Sequence, residues 1–479
     1  MKTTVLSTIA AAALLAGCGT TPVGPNYQAP PALAPGHASS AGDFVSAEAA
    51  TASADPLPPR WWRLYQNAEL DTLVERALAH NTDLRQAVAN LEREQAVDDE
   101  VRGAQYPTAT VSGGPAFGHK SGIDLVKPGY EPPSTFNYGM SAGLSYQLDL
   151  FGQIRRAIEA SEAGTASAQA AVDLVKVNVA ASTAHAYADV CSSGLRLQSA
   201  NTSLRLQQET VDLSDRLQKA GRVGAIDAAR ARGQLEQLRS ALPPLQALRQ
   251  SALFRLSTLT GAPPREFPPE VADCATPPRV AGAIPVGDGA ALLRRRPDVR
   301  QAERGIAAAT ARIGVATADL YPKVSLGISA VSAGKLKDFG GSDTFNYSLG
   351  PLISWSIPNT GAAHARIRQA EAGTRGAVAR FDGVVLTALR ETETALTVYA
   401  RELDRRAALQ AARDQTAIVA GQARQLYLNG RTGSLDALDA QRALAGSEAA
   451  LAASDAQLAD DQINLFMALG GGWEAAPSP

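Results

Sequence analysis

The chain has 479 residues and a formal net charge of −2, from 45 Lys and Arg against 47 Asp and Glu. That balance excludes the dense basic surface of a nucleic-acid binder and strong electrostatic recruitment. Aromatics make up only 5% of the residues while alanine is abundant, which favours long, closely packed helices over a large globular core.

Met1 to Gly17 reads as a secretory signal: Lys2 supplies a thin positive region, Ile9 to Ala16 is apolar, and small residues precede the cut. Leu15-Ala16-Gly17-Cys18 has the form of a bacterial lipobox. Cys18 is therefore the expected lipidation site, carrying palmitate-type acyl tails in number sufficient for stable anchoring. No other stretch approaches the ~20 apolar residues of a spanning helix, so any membrane crossing must use strands. From Cys18 to Pro59 the chain is rich in Pro, Ala and Ser without periodicity, the pattern of an extended tether.

After Trp61-Trp62, helical spacing runs from Glu69 to Ala104 and stops at Tyr106-Pro107. Thr108 to Ser112 alternates, and Gly113-Gly114-Pro115 predicts the start of a long loop. Phe136, Tyr138, Met140, Ala142, Leu144, Tyr146, Leu148 and Leu150 then alternate with Asn137, Gly139, Ser141, Gly143, Ser145, Gln147 and Asp149. Apolar residues with aromatics on one parity and small polar residues on the other are the pattern of a strand between lipid and water. Gly152 to Lys219 is free of proline and helical in period, about 100 Å at 1.5 Å per residue. Gly221 and Gly224 turn the chain. Ile226 to Leu259 returns for about 50 Å, broken or kinked by Pro243-Pro244.

The whole order of landmarks then repeats. Asp83-Leu84-Arg85-Gln86-Ala87 returns as Asp298-Val299-Arg300-Gln301-Ala302, and Tyr106-Pro107 as Tyr321-Pro322. Phe136-Asn137-Tyr138 returns as Phe345-Asn346-Tyr347, and Gly221-Arg222-Val223-Gly224 as Gly430-Arg431-Thr432-Gly433. The period is too long for a solenoid, so the copies are expected to be halves of one pseudo-symmetric wall. The implied division is a signal (1–17), a tether (18–59), a first repeat (60–261), a linker (262–287), a second repeat (288–473) and a tail (474–479). Two hairpins give four strands, and about eight are needed to close even a small barrel. Copies of the chain must associate to close a pore.

Enzyme readings find no support. His37, His80, His119, His185 and His364 form no metal-ligand spacing, and no phosphate loop, nucleophile elbow or dinucleotide fingerprint is present. No cofactor is expected.

Several motifs carry a resemblance: the lipobox, Val23-Gly24-Pro25-Asn26-Tyr27, Trp61-Trp62, and Leu292-Leu293-Arg294-Arg295-Arg296-Pro297-Asp298-Val299-Arg300. Asp319-Leu320-Tyr321-Pro322, Leu438-Asp439-Ala440-Gln441-Arg442 and Gly470-Gly471-Gly472-Trp473 complete the set. Over essentially its whole length the chain resembles the TolC-like outer-membrane efflux proteins, in particular their NodT-type lipoprotein branch. The resemblance implies a mostly α homotrimer: a twelve-stranded transmembrane β-barrel continuous with a long periplasmic α-helical barrel, and a belt around the linker. It implies an exit duct for drugs or other small toxic compounds, working with a periplasmic adaptor and an inner-membrane pump, in the outer membrane of a Gram-negative bacterium. The outer-membrane part of a type I protein secretion system is the alternative, and a coiled-coil periplasmic spacer or adaptor lipoprotein a more distant one.

By the same resemblance, Gly221, Arg222, Val223, Gly224, Gly430, Arg431, Thr432 and Gly433 form periplasmic tips that meet the adaptor. Asp436 and Asp439 match the family's gate motif. Spaced i, i+3 on one helix face, they imply six carboxylates around a trimeric aperture, able to select cations or hold a divalent ion. Asp227 and Arg230 are their first-repeat counterparts, and Tyr427 is expected to hydrogen-bond Asp227. Cys191 lies about 58 Å along its helix, a depth similar to that at which the return helix ends before Cys274. A disulfide between Cys191 and Cys274 is geometrically open, without being fixed by sequence.

Overall fold

The computed structural model describes residues 21–30, 41–48, 50–119, 128–355 and 360–473. The signal, Cys18, Ile357 and the tail 474–479 lie outside the described residues. In chain order the elements are β1 (Ala52–Ser53), α1 (Ala68–His80), α2 (Thr82–Gly103), β2 (Thr108–Gly118), β3 (Thr135–Leu148), α3 (Gln153–Lys219), α4 (Ala225–Ser240), α5 (Leu242–Leu259) and α6 (Pro269–Ala272). There follow β4 (Ile284–Pro285), α7 (Gly289–Arg295), α8 (Pro297–Ala318), β5 (Lys323–Lys335), β6 (Phe345–Ser354), α9 (Thr360–Leu428) and α10 (Ser434–Ala468). They divide into two compact units: residues up to 29 with 91–167 and 302–381, and residues 30–90 with 168–301 and 382–479.

The first unit is built on a four-stranded antiparallel sheet in the order β2-β3-β5-β6. Register aligns Ala109, Leu144, Ile328 and Leu349 in one row, and Val111, Ala142, Ala330 and Tyr347 in another. The alternate rows hold Thr110, Gly143, Ser329 and Ser348, then Ser112, Ser141, Val331 and Asn346. Period-2 alternation thus gives one apolar and one largely hydroxyl-bearing face. Hydroxyls pair across strands on the polar face, Ser112 with Ser141 at 2.7 Å and Ser329 with Ser348 at 2.8 Å. The apolar face is bare in the single chain: Val111 is 80% exposed, and Tyr347 and Leu349 are each 75% exposed.

Strand β2 runs through Gly113-Gly114-Pro115, where sequence predicts a loop. Pro115 sits opposite Tyr138 on an edge strand, and an edge position spares the N–H that proline lacks. At the base of the sheet, the Asp149 carboxylate accepts from the N–H groups of Ile154 (2.9 Å) and Arg155 (3.0 Å), satisfying donors of the first turn of α3. Phe151 stacks on Tyr321 with ring centroids 4.5 Å apart. Asp319 accepts from Gln153 at 3.0 Å and pairs with Arg366 at 3.1 Å and Lys323 at 3.4 Å, while Trp355 donates to the Leu320 carbonyl at 3.2 Å. The Asp-Leu-Tyr-Pro motif is therefore the corner that joins helix to strand.

The second unit holds the main core. Trp61 stacks on Phe466 at 4.7 Å, among fully buried Leu70, Tyr187, Ile284, Leu292 and Leu469. The described part of the segment predicted as a tether is largely irregular but packed. Phe44, Ala52 and Leu57 are buried in this core, and β1 pairs in parallel with β4 of the linker. Three apolar residues too widely spaced to register as a period each occupy a separate core position. At the other terminus, a Cβ on Gly471 would lie 2.4 Å from Leu57 and 3.1 Å from Trp61, so the glycine run passes where no side chain fits. The Arg300 guanidinium covers Trp473 at 4.7 Å.

The helix predicted over 69–104 is broken at Asn81, whose side chain caps the new start: Oδ1 accepts from the N–H groups of Asp83 (2.9 Å) and Leu84 (3.1 Å). The return helix of the first repeat divides at Ala241, with Pro243 and Pro244 in the first turn of α5, where a missing N–H costs nothing. Without proline, α10 runs uninterrupted.

Candidate functional site

Each long helix ends in the same turn. After α3, Gly221 has φ +68°, its N–H bonds to Gln218, and the Arg222 N–H reaches back to Leu217 at 2.9 Å. After α9, Gly430 has φ +66°, its N–H bonds to Tyr427, and the Arg431 N–H reaches Leu426 at 2.9 Å. Both are helix ends sealed by a residue in the left-handed region, the conformation glycine adopts without penalty. Gly224 and Gly433 then cap α4 and α10. Arg222 and Arg431 project into solvent, and neither forms an ion pair among the described residues.

Asp227 is the polar centre of the paired tips. Its carboxylate accepts from the Gly224 N–H at 3.3 Å and from the Ser434 hydroxyl at 2.8 Å, with Arg230 at 3.8 Å. Further up, Arg442 donates to Gln234 at 3.0 Å and Gln441 to Thr210 at 3.0 Å. Beneath these bonds Val211, Ala231, Leu235 and Leu438 form a small core. The tips of the two repeats are thus tied together by α10 packing on α3 and α4.

Within the chain the expected Tyr427–Asp227 bond is not made. Tyr427 is buried, its hydroxyl has no hydrogen-bond partner among the described residues, and Asp227 is engaged by Ser434 instead. Asp436 and Asp439 are both exposed. Asp439 pairs with Arg442 at 3.3 Å; Asp436 makes no ion pair among the described residues. Among the described residues no group of three or more His, Cys, Asp or Glu side chains could hold a metal ion. Cys191 on α3 is disulfide-bonded to Cys274 in the linker, with Cα atoms 4.6 Å apart. Sequence reasoning missed Ser434. Its signal was a hydroxyl residue directly after a capping glycine, opposite the capping acid of the other repeat.

Residues 73–262 and 290–471 match the family described as Outer membrane efflux protein, one segment in each repeat. The chain belongs to this outer membrane efflux protein family. It is 29% identical to Nodulation protein T of Rhizobium leguminosarum bv. trifolii over 96% of each chain. It is 28% identical to the antibiotic efflux pump outer membrane protein ArpC of Pseudomonas putida, covering 99% of this chain and 96% of that one. Among solved structures, the outer-membrane channel OprN superposes with a TM-score of 0.86 at 32% identity, covering 94% of this chain and 99% of that one. ArpC is the outer membrane protein of an antibiotic efflux pump and OprN an outer-membrane channel, and this member of the efflux protein family is not an enzyme. Its mostly helical fold is that of the TolC-like channels.

Proposed function

We propose that three copies of this chain form the outer-membrane exit duct of a tripartite efflux pump for drugs or other small toxic compounds. The observation that carries the reading is the bare apolar face of an otherwise ordered sheet, which a single chain leaves in water. The outer edges of β2 and β6 are also unpaired among the described residues, and edge-to-edge joining of copies covers such edges. Three copies supply twelve strands. From Phe136 to Tyr146 the strand rises about 34 Å, or about 24 Å at a 45° tilt, the height of an outer-membrane apolar band. Aromatics mark both ends of that band: Phe117, Phe136 and Phe345 at one, Tyr106, Tyr146, Tyr321 and Trp355 at the other, all exposed.

In this reading the hydroxyl face lines the lumen, and the tips meet a periplasmic adaptor that links the duct to an inner-membrane pump. Exposed Asp436 and Asp439 form the acidic aperture, with Asp227, Arg230 and Tyr427 around it, and Cys18 carries the lipid anchor. The name of the Pseudomonas relative supports small-molecule cargo. The test is complementation: expression in a strain deleted for its own outer-membrane outlet, with dye efflux and antibiotic susceptibility measured. Restored efflux that is lost on Arg222→Glu/Arg431→Glu, at unchanged protein level, supports duct and docking together. A folded, outer-membrane-inserted protein that restores no small-molecule efflux but restores secretion of a protein substrate would replace the reading.

A further inference from the structure

The motif Val23-Gly24-Pro25-Asn26-Tyr27 is not used by the tips, the linker or the polar face of the sheet. In the first unit it is an irregular segment held by several side chains of the helices. The Val23 N–H donates to the Phe151 carbonyl at 3.1 Å, beside the base of β3. Arg156, only 3% exposed, spends its guanidinium on this segment: Nε donates to the Val23 carbonyl at 3.1 Å, and Nη2 to the Gly24 carbonyl at 3.2 Å and to Asn26 Oδ1 at 2.7 Å. Nη1 pairs with Glu159 at 2.7 Å. Tyr27 donates to Glu303, and Arg304 lies over its ring at 5.7 Å.

The backbone is fitted as closely as the polar groups. Gly24 has φ +85°, and a Cβ there would lie 2.6 Å from the Gly314 Cα. A Cβ on Gly152 would lie 2.5 Å from Pro22. An arginine buried in an alanine-rich helical surface is costly unless every donor is used. Here four of its five N–H donors are engaged, three of them on one five-residue segment. A fork of donors in fixed geometry is what makes arginine suited to clamping backbone carbonyls.

We propose that residues 22–27 are a docking strap, clamped by Arg156, that fixes the point at which the acylated N-terminus leaves the fold. The inference rests on the lipidation of Cys18. Pro22 lies four positions after Cys18, a reach of at most about 14 Å. Pro22 packs on Gly152, next to the Phe151–Tyr321 stack at the base of the sheet. The acyl tails must therefore enter the membrane beside that end of the sheet, in the leaflet that its lower aromatics face. The anchor sets the depth of the strands, where a free tether would leave them independent of it.

The experiment places a nitroxide at Thr21→Cys in the full-length acylated protein reconstituted in phospholipid bilayers, and reads its mobility and immersion depth by spin-label power saturation. The N-terminal peptide is checked for acyl mass. The expected result is an immobilised label at one defined depth, with Arg156→Ala and Gly24→Ala each giving a mobile label with no defined depth while the sheet and oligomer persist. An unchanged spectrum and depth in both variants would overturn the clamp. Cys18→Ser, exported through an ordinary cleavable signal, is expected to keep the immobilised label; mobility there would assign the order to the lipid and overturn the strap. An N-terminal peptide without acyl mass would overturn the anchoring role while the immobilised label still reported the clamp. None of these readouts depends on transport, so failure of the duct reading would be seen separately.

Discussion

Asn81 and Arg296 occupy the same position in the two repeats and perform the same task with different chemistry. Asn81 donates to the Leu259 carbonyl at 3.1 Å, and Arg296 donates to the Ala468 carbonyl at 2.8 Å. Each sits where one short helix begins and holds the end of the returning one, whose last carbonyls would otherwise lack partners. In each repeat the ends of two short helices are thus fastened by the side chain at this position. Arg296 also pairs with Asp298 at 2.8 Å and Glu391 at 2.9 Å. Asn81→Ala is expected to cost about 1 kcal/mol as a lost cap, and Arg296→Ala about 2–3 kcal/mol because it also strips two acids of their partner. Denaturant unfolding of the detergent-solubilised protein checks the order; equal costs would mean the repeats are fastened elsewhere.

The linker is seated on α3 by two small residues one turn apart. Cys191 bonds Cys274, and a Cβ on Gly194 would lie 2.0 Å from the Cys274 carbonyl oxygen. Cys191→Ser/Cys274→Ser is expected to lose about 2–4 kcal/mol, since the bond closes a loop spanning 83 positions. Gly194→Ala must displace backbone and is expected to cost about 1–3 kcal/mol even with the disulfide intact. Thermal melts with and without reductant measure both; reductant-independent melting of the native chain would contradict the first.

Asp461 is 4% exposed, accepts from Gln457 at 2.8 Å, and its second oxygen has no partner among the described residues. Burial pushes its carboxyl above the usual aspartate range; Glu402 and Asp460 push the same way, against the Gln457 bond. The folded chain therefore holds this proton more tightly than the unfolded one, and the contribution is lost as pH rises through the raised value. Asp461→Asn keeps the Gln457 contact and is expected to gain stability over the native chain as pH rises from 4 to neutrality, with no difference below the usual carboxylate range. A constant offset at every pH would mean the effect is packing alone.

Ser434→Ala removes one of the bonds that join the tips, worth about 1 kcal/mol. Faster amide exchange is expected in residues 220–235 and 427–440 alone, with the Trp61 core unchanged. Unaltered exchange at the tips would show that the apolar contacts around Leu438 suffice.

Much of this architecture was legible because it rests on period and repetition. Alternation from Phe136 to Leu150 and the proline-free run from Gly152 to Lys219 each encode one element to within two residues. What stayed hidden depends on single side chains meeting across long separations. Asn81 is an N-cap residue type, but one such residue inside a continuous helical period does not mark a break, and the bond that fastens the break comes from distant Leu259. Phe44 and Leu57 lack a period and are buried only because the linker and the C-terminal glycines pass beside them. At the tips, position identified Asp227, but its partner within the chain is Ser434 and not Tyr427. Which hydroxyl meets Asp227 is decided by packing.

The central claim is that copies of this chain form a water-filled duct with an acidic aperture. The most direct test is single-channel conductance of the purified, folded oligomer in planar bilayers, with divalent ions added on the tip side. Small cation-selective steps that divalent ions block are expected, with larger or unblocked steps in Asp436→Ala/Asp439→Ala. No steps from a folded oligomer would contradict it.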